Sequence, residues 1–357
     1  MISFQETNLP TDLALRYHQS IDLIYEKVNI YHETAHSIYP PSTFLFISAL
    51  SLNINYYNMD EVWAFINIVS LISLSAIIYF FLKNYKCKWI LILSVLSLHS
   101  IPHALGVGQI SIVFISFFLL SIYMIIYHRN NYILIFGTLL LTISLGKFSL
   151  FLPFIPLLVI NNKLRYPTLV SIAINFTLSY AILYRVDSNI YEYVASLASS
   201  SSEIKALGSL DLNAFLSLIN APDYLNTVGP VAVLLLAAVI TIHYRERVNL
   251  FPLLALMAIV SRLFIYHNHY DNFILVIPLV YIFKFYWNYS DKNYAILYFL
   301  FLVSLIIPAR FLVWSEPIYG ITLIYQLIIW LLTAVIIFNH LHESKSQKRI
   351  NYYTGIQ

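Results

Sequence analysis

The sequence predicts an all-α polytopic membrane protein, and three observations carry that prediction. Hydrophobic residues make up 60% of the 357 and charged residues only 10%, whereas a soluble domain is about a quarter charged. Eleven apolar runs recur between residues 62 and 338 with short polar stretches between them. Basic residues collect in alternate stretches, the pattern expected of loops that face the two sides of a bilayer in turn.

Several classes are excluded early. The single cysteine, Cys87, allows no intrachain disulfide and no cysteine-based metal site. No Walker loop, GxGxxG or zinc-type His/Cys spacing occurs, so nucleotide-driven transport and dinucleotide chemistry have no basis here. The net charge is only +3, and no nucleic-acid partner, cofactor or metal is expected. Residues 1–41 are polar and contain no apolar core of a cleavable signal peptide. The 29 Tyr and 24 Phe suit a chain with many helix ends at headgroup level.

In order, residues 1–61 form an outward N-terminal segment. Asp12 to Glu26 carries a partial apolar stripe (Leu13, Leu15, Ile21, Leu23, Ile24) and predicts a helix. Tyr39-Pro40-Pro41 breaks any helix before it and suits a helix start after it. The apolar run Thr43–Ile54 that follows reaches only ~18 Å as helix, too short for a ~30 Å hydrocarbon core. It is expected to dip into the membrane and return, or to lie on its outer surface.

The eleven runs are 62–82, 89–105, 110–127, 132–145, 149–160, 166–184, 228–243, 250–266, 272–285, 294–309 and 318–338. They divide into a first bundle, 62–184, and a second, 228–338, with an outward loop, 185–227, between them and a tail, 339–357, behind. Lys83, Lys86 and Lys88 lie in one connection, Arg129 in the next of that parity, then Lys163 and Arg165, Arg245 and Arg247, Lys284 and Lys292, and finally Lys345, Lys348 and Arg349. The positive-inside rule makes these cytoplasmic, the C-terminus included. Residues 1–61, 103–109, 146–148, 185–227, 266–271 and 310–317 then face outward. Runs 132–145 and 149–160 are each shorter than a span and predict two short helices meeting at Gly146-Lys147. The 43-residue loop 185–227 is long for a connection and reads as a lid or a disordered segment, with a short helix near Asp211–Ile219.

Most polar groups outside the basic connections fall on the outward side. Asp12, at a predicted helix start, is either an N-cap or a general base for an acceptor hydroxyl. Lys147, between two apolar runs, costs ~2.5–3.5 kcal/mol at membrane depth unless it snorkels or is paired. Its alternatives are a snorkelling helix-end lysine and a counter-ion for a lipid phosphate. Arg262 and Arg310 admit the same snorkelling. Gly106-Val-Gly-Gln109 opens a span with room for close backbone approach and a side chain that donates and accepts. Arg262-Leu-Phe-Ile-Tyr-His-Asn-His-Tyr-Asp271 is either an aromatic-belt turn or the wall of a site. His267, His269 and Asp271 could ligate a metal, but hydrogen bonding or acid–base work is more economical for three residues at turn spacing.

Taken in order, Asp12 followed by a helix and Tyr39-Pro40-Pro41, Gly108-Gln109 opening a span, Gly146-Lys147 followed by Pro153, and His267–Asp271 after Arg262 resemble glycosyltransferase family 87 over roughly residues 10–280. These are membrane glycosyltransferases of the GT-C class, among them α-1,2-mannosyltransferases. The resemblance implies a GT-C-like bundle of about eleven transmembrane helices, a membrane-dipping segment and outward loops, in the plasma membrane. It implies a polyprenyl-phosphate sugar as donor, a lipid or glycan acceptor, and inverting, metal-independent transfer on the outer face. By the same resemblance Asp12 is the catalytic base. Tyr39, Gln109, Lys147, Arg262, His267, His269 and Asp271 are expected to bind donor or substrate. The resemblance also implies a span ahead of the catalytic aspartate, which residues 1–11 do not contain: either the start is truncated, and the form is inactive for want of the span that positions Asp12, or the N-terminal tail is exported unaided. Acids outnumber bases over residues 1–36, so export of this segment is not opposed.

Two rivals remain. A polysaccharide polymerase would share the large outward loop but lean on outward arginines, and 185–227 holds only Arg185 and Lys205. A lipid or solute transporter would show repeated broken helices, and only one short-helix pair is present.

Overall fold

The computed structural model describes residues 11–33, 39–51, 58–82, 85, 88–203, 212–222, 224–244, 250–264, 269–289, 292–307 and 316–354. All regular structure among them is helical. The N-terminal helix α1 (Thr11–Ile21) passes into a π-turn, Asp22–Glu26, so the expected helix changes character over its last five residues. Lys27 closes that turn in the left-handed region, φ 59°, with its N–H on the Asp22 carbonyl. After α2 (Ile30–Glu33), α3 (Pro41–Ser51) starts at the second proline of the pair, where the missing N–H costs nothing.

The next helices are α4 (Met59–Phe81), α5 (Lys88–Leu96), α6 (Ser100–Val107), α7 (Ser111–Tyr127) and α8 (Asn131–Ser144). One expected run, 89–105, is therefore broken into α5 and α6. Pro102 has no N–H to return to the carbonyl at position 98, and the helix restarts at Ser100. Gly108 turns the chain into α7 with φ 74°, a value glycine adopts without strain. The sequence anticipates the break after α8: Asn131–Ser144 and Phe148–Ile160 are bent by 111° where the chain passes Gly146-Lys147. The second arm consists of α9 (Phe148–Phe151), a 3₁₀ turn through Pro153, and α10 (Ile155–Ile160).

Beyond α11 (Arg165–Arg185), the expected loop contains a helix the sequence reading did not assign, α12 (Ile190–Glu203), as well as the anticipated α13 (Leu212–Leu218). The cause of α12 is local. Asn189 Oδ1 accepts from the N–H groups of Tyr191 and Glu192, which makes it an N-cap, and its Nδ2 donates to the Glu192 carboxylate. Then follow α14 (Leu225–Tyr244), α15 (Leu250–Phe264), a 3₁₀ helix (His269–Leu275), α16 (Val276–Tyr289), α17 (Lys292–Ile306) and α18 (Glu316–Thr354). The last has 39 residues, well past the apolar run that predicted it.

Among the described residues, four helices are long and apolar enough to cross a membrane: Met59–Phe81, Lys88–Val107 (α5 and α6 together), Arg165–Arg185 and Gly320–His342; the bent pair makes a fifth if counted as one span. The helical membrane fold expected from sequence is thus present, with four to five candidate spans among the described residues. Helices α7, α14, α15 and α17 are apolar as well. The long helices carry the surface that lipid requires. On α4, Phe65, Ile68, Val69 and Ile72 are exposed at helical spacing, and on α18 Ile321, Ile324, Ile328, Leu331, Leu332 and Val335 repeat the pattern. The chain divides into two units. The first comprises Met1–Ile77, Ile101–Phe148 and Tyr166–Ala206, and the second Ile78–Ser100, Ser149–Arg165 and Leu207–Gln357.

Candidate functional site

Four of the residues singled out from sequence converge in the first unit. Asp12 lies in the first turn of α1, where the helix dipole favours a carboxylate. Its Oδ2 accepts a hydrogen bond from Gln109 Nε2, a residue carried by the turn between α6 and α7. The other end of the same amide, Gln109 Oε1, accepts from the Tyr39 hydroxyl at 3.1 Å. Both faces of the amide are thus used, which fixes its orientation. Gln109 and Tyr39 are buried, 3% and 2% exposed, so this relay is shielded from solvent and its bonds are strengthened by low local polarity.

Two cations approach the same tyrosine. The Arg16 guanidinium lies 4.7 Å from the Tyr39 ring centroid and the Lys147 ammonium 5.9 Å from it, both within reach of the ring's negative face. Lys147 is 4% exposed and donates to Ser111 Oγ at 2.7 Å. It is therefore a buried lysine seated on the start of α7, not one that snorkels out along a helix end. His103 on α6 is half-buried and within electrostatic range of Asp12.

The frame around this group is fixed by hydrogen bonds from distant segments. Thr43 Oγ1 on α3 donates to the Gly146 carbonyl at 2.7 Å. A Cβ at Gly146 would lie 2.7 Å from Thr43 Oγ1 and 2.9 Å from the Ile143 carbonyl, so only glycine lets α3 approach the bend. Ser42 ties α3 to α11 through Asn175 Oδ1 at 2.8 Å and Ser179 Oγ at 3.3 Å. The Tyr31 hydroxyl donates to the Tyr39 carbonyl at 3.1 Å, and Asn29 Nδ2 donates to Glu192 on α12 at 3.1 Å. Tyr193 packs edge-on against Tyr31, and burial pushes its phenol well above the usual tyrosine range, which keeps it neutral.

The remaining predicted site residues belong to the second unit. Arg262 is fully buried at the end of α15; its Nε donates to Asn272 Oδ1 at 2.8 Å, and its guanidinium lies 6.0 Å from the Trp330 ring. It neither snorkels nor lies open as an exposed wall. Next to it Ser261 Oγ donates to the Leu150 carbonyl. Asp271 is buried within the 3₁₀ helix. His269 opens that helix, and its side chain lies outside the described residues, as do His267 and Arg310 in full. Among the described residues no group of three His, Cys, Asp or Glu side chains is arranged to hold a metal ion.

Sequence reasoning missed Arg16, Ser111, Thr43 and Asn272. Arg16 carried a signal, since a basic residue four positions after Asp12 shares its helix face. Asn272 lies one residue beyond the polar cluster. Ser111 and Thr43 are too common in apolar helices to stand out. Comparison with known protein families, curated proteins and solved structures finds no match to this chain.

Proposed function

We propose that this chain is a membrane glycosyltransferase of the GT-C class. It transfers a hexose, of the mannose type, from a polyprenyl-phosphate sugar to a lipid-linked or glycan acceptor, with inversion, on the outer face of the plasma membrane. The observation that carries the reading is one arrangement: a carboxylate, Asp12, oriented by the Gln109–Tyr39 relay, with two cations on the same tyrosine ring.

The chemistry asked of such a group is simple. Asp12 takes the proton from the acceptor hydroxyl as its oxygen forms a bond to the sugar's anomeric carbon. The bond from that carbon to the phosphate oxygen breaks on the opposite face, and its electron pair stays with the phosphate. Lys147 supplies positive charge where negative charge grows on the leaving group. Gln109 and Tyr39 hold the carboxylate still, which lowers the entropic cost of reaching the transition state. A lipid donor needs an entrance from the bilayer, and the short helix α3 and the bend at Gly146-Lys147 provide irregular structure inside a helical frame. The full architecture proposed is a bundle of about eleven membrane helices with α3 dipping from the outer side and the C-terminus cytoplasmic. The test is transfer of labelled sugar from polyprenyl-phosphate donors in membranes carrying the chain or its Asp12→Asn variant. Transfer by the parent alone supports the reading, and equal transfer by both removes it.

A further inference from the structure

We propose that Arg16 is a positioning residue that orients Asp12 through Tyr39 and Gln109; this rests on the reading of Asp12 as the base. Arg16 follows Asp12 by four residues on α1, so the two side chains leave the same face of one helix. Arg16 is 8% exposed, and its guanidinium lies 4.7 Å from the Tyr39 ring centroid. Nη1 donates to Gln19 Oε1 at 2.7 Å, which fixes the plane of the group from one turn further along. Tyr39 in turn is held at three points: its ring by Arg16, its carbonyl by the Tyr31 hydroxyl and its hydroxyl by Gln109.

The contacts close a circuit. From Asp12 it runs to Gln109, to Tyr39, to Arg16, and back to Asp12 through one turn of α1. Three segments distant in sequence contribute: α1, the residues before α3 and the turn before α7. A carboxylate anchored only by one amide could rotate with that amide. Here the amide is set by a hydroxyl whose ring is clamped by a residue on the carboxylate's own helix. The planar, delocalised guanidinium suits stacking in a way an ammonium does not, so lysine replaces the charge but only part of the clamp. The alternative role for a buried arginine at such a site is direct contact with the donor phosphate, and kinetics separate the two.

The experiment uses the full chain in lipid nanodiscs with 3-fluorotyrosine at position 39, as Arg16→Met and Arg16→Lys. The fluorine NMR signal shifts in Arg16→Met and moves less in Arg16→Lys; a signal unchanged in both overturns the proposal, whether or not transfer is detected. In the transfer assay Arg16→Met lowers kcat about 30-fold, the scale of one lost desolvated cation–π contact, with donor KM within about twofold. Arg16→Lys recovers part of kcat. In a Gln109→Ala background Arg16→Met adds no further loss, because its route to Asp12 is already cut. A raised donor KM at unchanged kcat, or losses that simply multiply in the double variant, overturns the proposal. Absence of transfer by the parent overturns the transferase reading instead, and the fluorine signal still reports the Arg16–Tyr39 coupling on its own.

Discussion

Gln109 donates its side-chain amide proton to the Asp12 carboxylate across 97 residues of chain. The bond joins the first turn of α1 to the turn that opens α7, so Asp12 belongs to a hydrogen-bonded group and is not merely a helix-terminal acid.

Replacing the amide by a carboxylate tests this relationship directly. Gln109→Glu sets a second negative charge against Asp12 and removes the donor. Transfer is expected to fall about 100-fold, the scale of a ~1 Å misplacement of a reacting group. Gln109→Ala removes the donor without the repulsion and falls less. Initial rates at saturating donor, on protein that remains monodisperse in detergent, provide the check.

Lys147→Ala is expected to raise donor KM more than it lowers kcat. The lysine is buried on Ser111 beside Tyr39, and its charge is available to a phosphate from substrate binding onward. Titration of donor at fixed acceptor measures the split. Unchanged donor affinity would assign Lys147 to holding α7 alone.

Gly146→Ala is expected to destabilise the protein by about 1–3 kcal/mol through overpacking. The added Cβ would meet Thr43 Oγ1 and the Ile143 carbonyl, and the second of these is backbone that cannot rotate away. Thr43→Ala in the same chain therefore recovers only part of the loss. Thermal unfolding in a fixed detergent compares the three chains.

Chelation is expected to leave the rate unchanged. A cationic side chain and a carboxylate base account for the proposed reaction without a divalent ion. A transfer assay with and without chelator, at matched ionic strength, is the check; a loss restored by added metal would return His267, His269 and Asp271 to consideration as ligands.

Much of the helical plan was legible from hydropathy, because apolar runs and loop charge report the environment of a whole segment. The break at Gly146-Lys147 was legible too: a glycine and a lysine between two runs shorter than a span leave little else. Apolarity does not report local breaks: run 89–105 is apolar almost throughout, yet divides into α5 and α6 ahead of Pro102. Helix α12 is not marked by apolarity; its start signal is the N-cap Asn189, set within a polar loop. At the site, Asp12, Tyr39, Gln109 and Lys147 stood out as costly or polar residues near membrane ends, and they do gather in the first unit. Arg262 stood out for the same reason but is buried against Asn272 and Trp330. Sequence marks a charge as expensive; it does not say which partner offsets the cost.

Asp12 is the proposed base of a lipid-donor glycosyl transfer. The most direct measurement is transfer of a labelled hexose from polyprenyl phosphate to endogenous lipid acceptors, in membranes containing equal amounts of inserted parent or Asp12→Asn protein. Removing a positioned general base lowers rates about 100- to 10,000-fold, so the account predicts transfer by the parent and none above background by the variant. Equal transfer by both chains would contradict it.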